Sequence, residues 1–510
     1  MNLLKKVVAI DFDNQTDNLV RVLGGYGSSF HVSEEDLNKM GEFPKGLYNR
    51  WATISLPTAT SEGNWGWIYL SARIDNDTNA YFSICISYSR PGLFSGEQKP
   101  VAAGLSMRHP WQPWPQGGID IGYGVNGLLS DSVEVQSGKI IIRLLPKHIR
   151  RASIDYRRWL SDLTLTQEGS WLLDAPITHL RFPGTHNSAT YGEGWALIRE
   201  NWCCQNQNIY QQICSGIRYF DLRFSTRSDL VTFSPCHGIK KDTGDILAVS
   251  STEEGKDTIV GQFLRYFREE RKDKPSNEVF ILGVNLDTQS NKREKQLVEF
   301  WTQWFKHLGQ YLIPHDAQTM PNLRQLRESG RRIMLWSSHN NLGYKLSENP
   351  EIYELFQKYV WSTDERTFSR GGCWIEKEWQ SGDYNRLEKA IVAEHFNEHS
   401  LARNHFWQAQ LQLTPNFGSK DFLTTDATKR FFSPQVLAKD GNPQVALLLQ
   451  KEEWKDHMSI VSVDFPTTDV IYEVVDANRH QVRVREAIQK GEPVPADPPL
   501  EVAFQQAAQI

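Results

Sequence analysis

The stretch Ile177-Thr-His-Leu-Arg-Phe-Pro-Gly-Thr-His-Asn-Ser-Ala-Thr-Tyr191 decides the fold. An apolar run stops at Pro183-Gly184, and a histidine, His186, follows at once. That pattern is a strand that ends and delivers an imidazole at its carboxyl end. The same grammar returns downstream. Gly216-Ile-Arg-Tyr-Phe-Asp-Leu-Arg-Phe224 reads as a second strand carrying Asp221 and Arg223, and Pro235-Cys-His-Gly238 delivers His237. Two histidines, a carboxylate and an arginine leaving successive strands supply the parts for acid–base work on a phosphate ester.

Outward from that stretch, strands alternate with helices. The segment 257–273 sets Ile259, Phe263, Tyr266 and Phe267 on one helical face with charges opposite. A strand at 278–286, a helix at 292–309 and a strand at 331–337 follow, and a further strand ends at Asp464. This alternation predicts an α/β fold, a TIM-like (β/α) barrel over 171–480. The side chains at its strand ends, His186, Asp221, Arg223, His237, Asn285 and Asp464, converge on one mouth. The tail, 481–510, is Pro-rich from Gly491 and is expected to be extended.

Residues 1–150 read differently. Candidate strands at 7–12, 50–57, 65–74, 80–88 and 139–146 are separated by turn signals such as Asn76-Asp77 and Pro91-Gly92, which predicts a β-rich accessory domain of sandwich type. A basic stretch from Arg143 through Arg150 and Arg151 to Arg157-Arg158 leads into a linker assigned to 151–170. It reads either as a solvated linker or as a contact with anionic lipid, where each clustered cation contributes about 1 kcal/mol. The Pro-broken loop 109–118, with Trp111 and Trp114, fits an interfacial wedge or an ordinary loop.

Bulk properties bound the partners. A net charge of −5 argues against a nucleic-acid binder driven by overall charge. No apolar run reaches the length of a membrane-spanning helix, and the amino-terminal stretch lacks the pattern of a signal peptide. A cytoplasmic location is expected, with peripheral membrane contact or export by a route other than a signal peptide as its alternatives. The adjacent Cys203-Cys204 make a poor disulfide framework, so the six cysteines are read as reduced thiols. Cys236, beside His237, is read as a small buried residue rather than a nucleophile.

The motifs "FPGTHNSATY", "GIRYFDLRF" and "CHG", in that order, resemble the X-domain of phosphatidylinositol-specific phospholipase C, and the resemblance extends loosely from Asp174 to Asn478 through "EVFILGVNLD", "RRIMLWSS", "LQLTPN" and "MSIVSVDFP". It implies cleavage of an inositol phospholipid to diacylglycerol and an inositol cyclic phosphate. By resemblance, His186 is the general base and His237 the general acid. Arg223 holds the phosphate, Asp221 orients the site, and Asp464 pairs with the first histidine. Asp383, in "SGDYNRL", matches an inositol-hydroxyl acceptor, with Asn187 and Asn285 also lining the substrate.

The resemblance also speaks to metal. Calcium-using members end the second strand acid-x-acid, whereas this chain has Asp221-Leu222-Arg223, as in the bacterial type. A guanidinium then stands in place of the ion, and neither a metal nor a cofactor is expected. At the neighbouring match for a further calcium ligand the chain has Asn285, which is neutral and a poor ligand for a hard cation. One departure is Asn187: bacterial members place an aspartate there to support the second histidine, and the calcium-using branch uses asparagine as a metal ligand. Two other readings stand beside the lyase: a barrel phosphodiesterase acting on glycerophosphodiesters or sphingolipids, and a catalytically weak lipid-binding module.

Overall fold

The computed structural model describes residues 6–27, 42–56, 65–73, 79–88, 100–108, 128–129, 133–136, 139–146, 154–166, 169–191, 203–226, 233–236, 258–270, 276–287, 294–315, 320–337, 346–362, 373–375, 406–412, 434–451, 454–455 and 458–491. The chain divides into two compact units; the main break falls between Asp155 and Tyr156, and Thr467–Asp469 groups with the first unit.

The first unit is built of strands. One sheet has the order β4 (Gly46–Leu56), β1 (Lys6–Asn14), β10 (Lys139–Leu144), β9 (Val133–Gln136), and only the β1–β10 pairing in it is parallel. A second, antiparallel sheet has the order β3 (Glu42–Phe43), β2 (Val20–Gly27), β5 (Trp65–Arg73), β6 (Asn79–Tyr88), β7 (Pro100–Arg108), β8 (Leu128–Leu129). All five strands expected from the sequence are present. Along β10, Ile142 and Leu144 are buried while Ile141 and Arg143 are not, the alternation of a half-buried strand. Arg143 lies 3.7 Å from Asp13 on the neighbouring strand. The unit has two sheets; the side chains that would decide the expected sandwich lie outside the described residues, and so do Trp111, Trp114, Arg150 and Arg151.

The second unit is α/β. Its parallel strands are β11 (Phe182–Thr185), β12 (Tyr219–Thr226), β14 (Phe280–Asp287), β15 (Ile333–Ser337), β16 (Val360–Ser362), β17 (Cys373–Ile375), β18 (Phe406–Gln410) and β19 (Ile460–Val463). The short β13 (Phe233–Pro235) turns back antiparallel on β12. The sheet order is β16-β15-β14-β12-β11-β19-β18-β17. The first parallel strand in the chain therefore pairs with the last, so the sheet winds back on itself. Among the helices are α1 (Trp159–Thr164), α2 (Ile209–Cys214), α3 (Ile259–Glu269), α4 (Glu294–Leu308), α5 (Leu323–Ser329), α6 (Pro350–Tyr359), α7 (Pro434–Leu449) and α8 (Thr468–Lys490).

Period-two alternation sorts the side chains of these strands into two faces. On one, Phe220 meets Phe263 of α3, and Phe224 meets Phe300 and Trp304 of α4. Ala409, Leu411, Val461 and Val463 join the same kind of core with α7 and α8. Thr258 caps α3 by accepting from the Gly261 N–H at 3.0 Å, which is why the helix begins at that threonine. On the other face, Trp336 of β15 lies 5.3 Å from Phe406 of β18, although four strands separate them in the sheet order, and Tyr219 of β12 donates to Gln408 of β18 at 3.0 Å. Contacts of that reach require strong curling.

Two boundaries differ from the sequence reading. The segment 151–170 was expected to be a basic linker, with Arg157 and Arg158 near its middle. From Tyr156 onward it belongs to the second unit, and Tyr156, Arg157, Arg158, Trp159 and Leu160 are all buried. Charge alone suggested a solvated stretch; the flanking Tyr156, Trp159 and Leu160 carry it into the core. At the other end, the tail expected from 481 begins later. α8 runs on through Lys490, and Val482 and Ala487 on it are buried, so apolar residues at helical spacing hold this part of the chain against the unit. The Pro-rich part of the tail, from 492, lies outside the described residues.

Candidate active site

Each functional side chain is set by the point at which its strand stops. Gly184 lets β11 lie close to β12, since a Cβ there would stand 2.8 Å from the Tyr219 ring and 3.0 Å from the Val461 carbonyl oxygen. The His186 N–H continues the ladder to Val463 O at 3.0 Å. The chain then turns sharply through Asn187, whose φ of 43° is left-handed, a conformation asparagine tolerates better than most residues. Ser188 N donates to Asp221 O at 2.7 Å and Thr190 Oγ1 to Asn187 O at 2.8 Å, which pins the turn.

The same device ends β19. Asp464 is followed by Phe465 with a φ of 44°, a strained state for an aromatic residue. Asn442 on α7 holds it by donating to Asp464 O at 3.1 Å and Phe465 O at 2.7 Å, and Phe465 N donates to Cys204 O at 2.9 Å. Gln205 ties the two turns together by donating to His186 O at 2.8 Å and Val463 O at 3.3 Å.

Between these turns lies a buried dyad. His186 Nδ1 stands 2.8 Å from Asp464 Oδ1, and both side chains are almost wholly buried. Burial opposes the protonated imidazole, but the charge and hydrogen bond of Asp464 outweigh it and raise the His186 pKa to about 9. The other ring nitrogen, Nε2, faces Asn187 Nδ2 at 3.1 Å and Asp221 Oδ2 at 4.0 Å. Asn187 Nδ2 also lies 3.7 Å from Cys204 Sγ. Burial and the nearby Asp464 charge push the Cys204 thiol up, so it is no nucleophile at neutral pH.

Asp221 and Arg223 point the same way from β12. Arg223 Nε donates to Asp221 Oδ1 at 3.3 Å and Oδ2 at 3.1 Å, and Nη2 donates to Oδ2 at 2.9 Å. The Asn187 N–H also donates to Asp221 Oδ2, at 3.2 Å. Burial works against the Asp221 carboxylate, but the Arg223 and His186 charges hold its pKa below the usual range. Asn285 is in register with Arg223 on the adjacent β14 and is exposed.

The structure thus brings together His186, Asn187, Asp221, Arg223 and Asp464, with Asn285 beside them. His237 and Asp383 lie outside the described residues; Cys236, a small buried residue as expected, donates its N–H to Arg223 O at 3.0 Å. Asn187, which stands where bacterial members carry the aspartate that supports the second histidine, has its amide on the first, 3.1 Å from His186 Nε2. Sequence reasoning missed Cys204, Gln205 and Asn442, which act from loops and a helix with no periodic signal. It also missed Gln410 and Gln412, both buried, with Gln412 Nε2 donating to Gln410 Oε1 at 3.2 Å. The alternation Gln408-Ala-Gln410-Leu-Gln412 was a readable sign of one polar face.

No protein-family model matches the chain. Two curated proteins are similar in sequence. A PI-PLC X-box domain-containing protein of Dictyostelium discoideum is 29% identical over 113 residues, 19% of this chain and 14% of that protein. A 1-phosphatidylinositol phosphodiesterase of Listeria monocytogenes is 24% identical over 195 residues, 37% of this chain and 50% of that protein. The matches therefore span half or less of each relative. Among solved structures, the phosphatidylinositol-specific phospholipase C of Listeria monocytogenes aligns over 64% of this chain and 99% of its own, at 18% identity and a TM-score of 0.43. The F249X mutant of the Staphylococcus aureus phosphatidylinositol-specific phospholipase C aligns over 64% and 98%, at 16% identity and a TM-score of 0.44. The likeness to the X-domain family read from the motifs is found again in both curated relatives.

Proposed function

We propose that this chain, a relative of phosphatidylinositol-specific phospholipase C proteins, cleaves phosphatidylinositol-type lipids to diacylglycerol and an inositol cyclic phosphate on a (β/α) barrel. The observation that carries the reading is the buried His186–Asp464 dyad with Arg223 on the neighbouring strand. His186 takes the proton of the inositol hydroxyl next to the phosphate, and Asp464 stabilises the imidazolium that results. The freed oxygen attacks phosphorus and the bond to the diacylglycerol oxygen breaks. By resemblance, His237 gives that oxygen its proton. Arg223 turns from Asp221 to two phosphoryl oxygens, a task suited to its planar fork.

The cation that calcium-using relatives need has a poor seat here. The residue that would be the second acid is Arg223, already chelated by Asp221. The proposed reaction is metal-independent. Among the described residues no helix is long and apolar enough to cross a membrane, and the enzyme is proposed to meet its lipid peripherally, with the first unit as an accessory domain.

Turnover of phosphatidylinositol in excess EDTA tests this. The expected product is the cyclic phosphate at an undiminished rate. No turnover with or without calcium would favour a lipid-binding role, and activity restored by calcium alone would return Asn187 to the role of a metal ligand.

A further inference from the structure

A thiol stands at the catalytic dyad with no part in the proposed chemistry. The ligand atoms of His186, Cys204 and Asp464 all lie within 4.8 Å of one another, and the three residues are buried. They come from three separate segments: the end of β11, the 203–205 loop and the end of β19. Asn187 packs against the same spot. Asn187 is 1% exposed, its amide nitrogen touches both the imidazole and the thiol, and its Oδ1 has no hydrogen-bond partner among the described residues.

Imidazole nitrogen, thiolate sulfur and a carboxylate oxygen form a donor set of the kind that holds zinc, and thiolate disfavours calcium and magnesium. Around zinc, with bonds of about 2.0–2.3 Å, tetrahedral ligand atoms stand about 3.3–3.8 Å apart, so the widest gap closes by about 1 Å. We propose that His186, Cys204 and Asp464 form a three-residue site for a thiophilic divalent cation of the zinc class, with water as fourth donor, that switches the enzyme off. The ion occupies the imidazole that must accept the substrate proton, and the protons carried by thiol and imidazole leave to solvent. Occupancy and turnover are then mutually exclusive. This site differs from the calcium position beside Arg223, and the inhibition is compatible with a metal-independent reaction. The switch, though not the ion site itself, rests on the proposed lipid cleavage.

Cobalt(II), which reports thiolate ligation by a near-ultraviolet charge-transfer band and tetrahedral geometry by visible bands, is the probe for the full-length protein. Titration is expected to produce both, and zinc to abolish them. Cys204→Ala is expected to lose the charge-transfer band and at least about tenfold in affinity, while Cys203→Ala keeps both. Asp464→Asn, a second variant should Cys204→Ala fail to fold, is expected to keep the band but bind more weakly. Absence of the band in the wild-type protein, or its persistence in Cys204→Ala, overturns the proposal. The spectra decide this even for a protein that turns over no lipid. Where turnover is found, zinc is expected to stop it and EDTA to restore it; full activity of the zinc-loaded protein refutes the switch.

Discussion

His186 is the proposed base, and Asp464 sets its strength. With its pKa raised from 6.5 to about 9, the free protein holds it protonated at neutral pH, so kcat/KM is expected to climb with pH until about 9. Asp464→Asn removes the charge and hydrogen bond that offset burial, so the rising limb moves to lower pH while the maximal rate falls. An unmoved limb in that variant would break the link between dyad and base. The same proton stabilises the fold: the contribution is complete below pH 6.5 and fades as pH rises through about 9. The wild-type Tm is therefore expected to fall across that window, and that of His186→Gln to stay flatter. Arg223→Lys keeps the charge but loses the fork, and is expected to lose about 10²-fold in turnover; near wild-type kinetics would remove Arg223 from the phosphate.

At the scale of elements, the strands hold the site by an ion pair at their opposite, amino-terminal ends. Arg218, just before β12, and Glu278, just before β14, are fully buried, with Nε and Nη2 each 2.7 Å from Glu278 Oε2. Arg218 also donates to the carbonyls of Ile213, Ile217, Tyr156 and Arg157, and Glu278 Oε1 accepts from Ser161 N and Oγ on α1. Removing one partner strands the other charge, so Glu278→Gln is expected to cost about 3–5 kcal/mol in urea unfolding. Replacing both by apolar residues is expected to cost less than the sum of the single changes; an additive result would mean the pair is uncoupled. None of this was legible in the sequence, where Arg218 reads as a polar residue between apolar ones. The strand ends carrying His186, Asp221, Arg223 and Asp464 were legible because a Pro-Gly stop or a charged residue breaks each apolar run. The loop thiol at Cys204 was not, because its place depends on the return of the chain from Thr190, over a separation that no local pattern encodes.

On the scale of the whole molecule, the two kinds of patterning, short strands between turn signals before residue 146 and alternating strand and helix after 156, foretold two units of different class. What they could not foretell is where the second unit begins, because the basic composition of 143–158 masks its buried start. That start sets the terms of a truncation. A chain beginning at Asp155 retains Tyr156 and Arg157, whose carbonyls satisfy Arg218, and Trp159, whose Nε1 donates to Gly216 O at 3.1 Å. It keeps every described residue of the proposed site and is expected to cleave a short-chain, soluble phosphatidylinositol. A chain beginning at Ser161 loses those anchors and leaves Arg218 short of acceptors in the core, so it is expected to unfold or aggregate. If residues 1–150 supply lipid contact, the Asp155 truncation loses activity on anionic vesicles while keeping it on the soluble lipid. Equal rates on both substrates would mean that the first unit serves some purpose other than reaching the membrane, and loss of both would mean that the second unit does not fold without it.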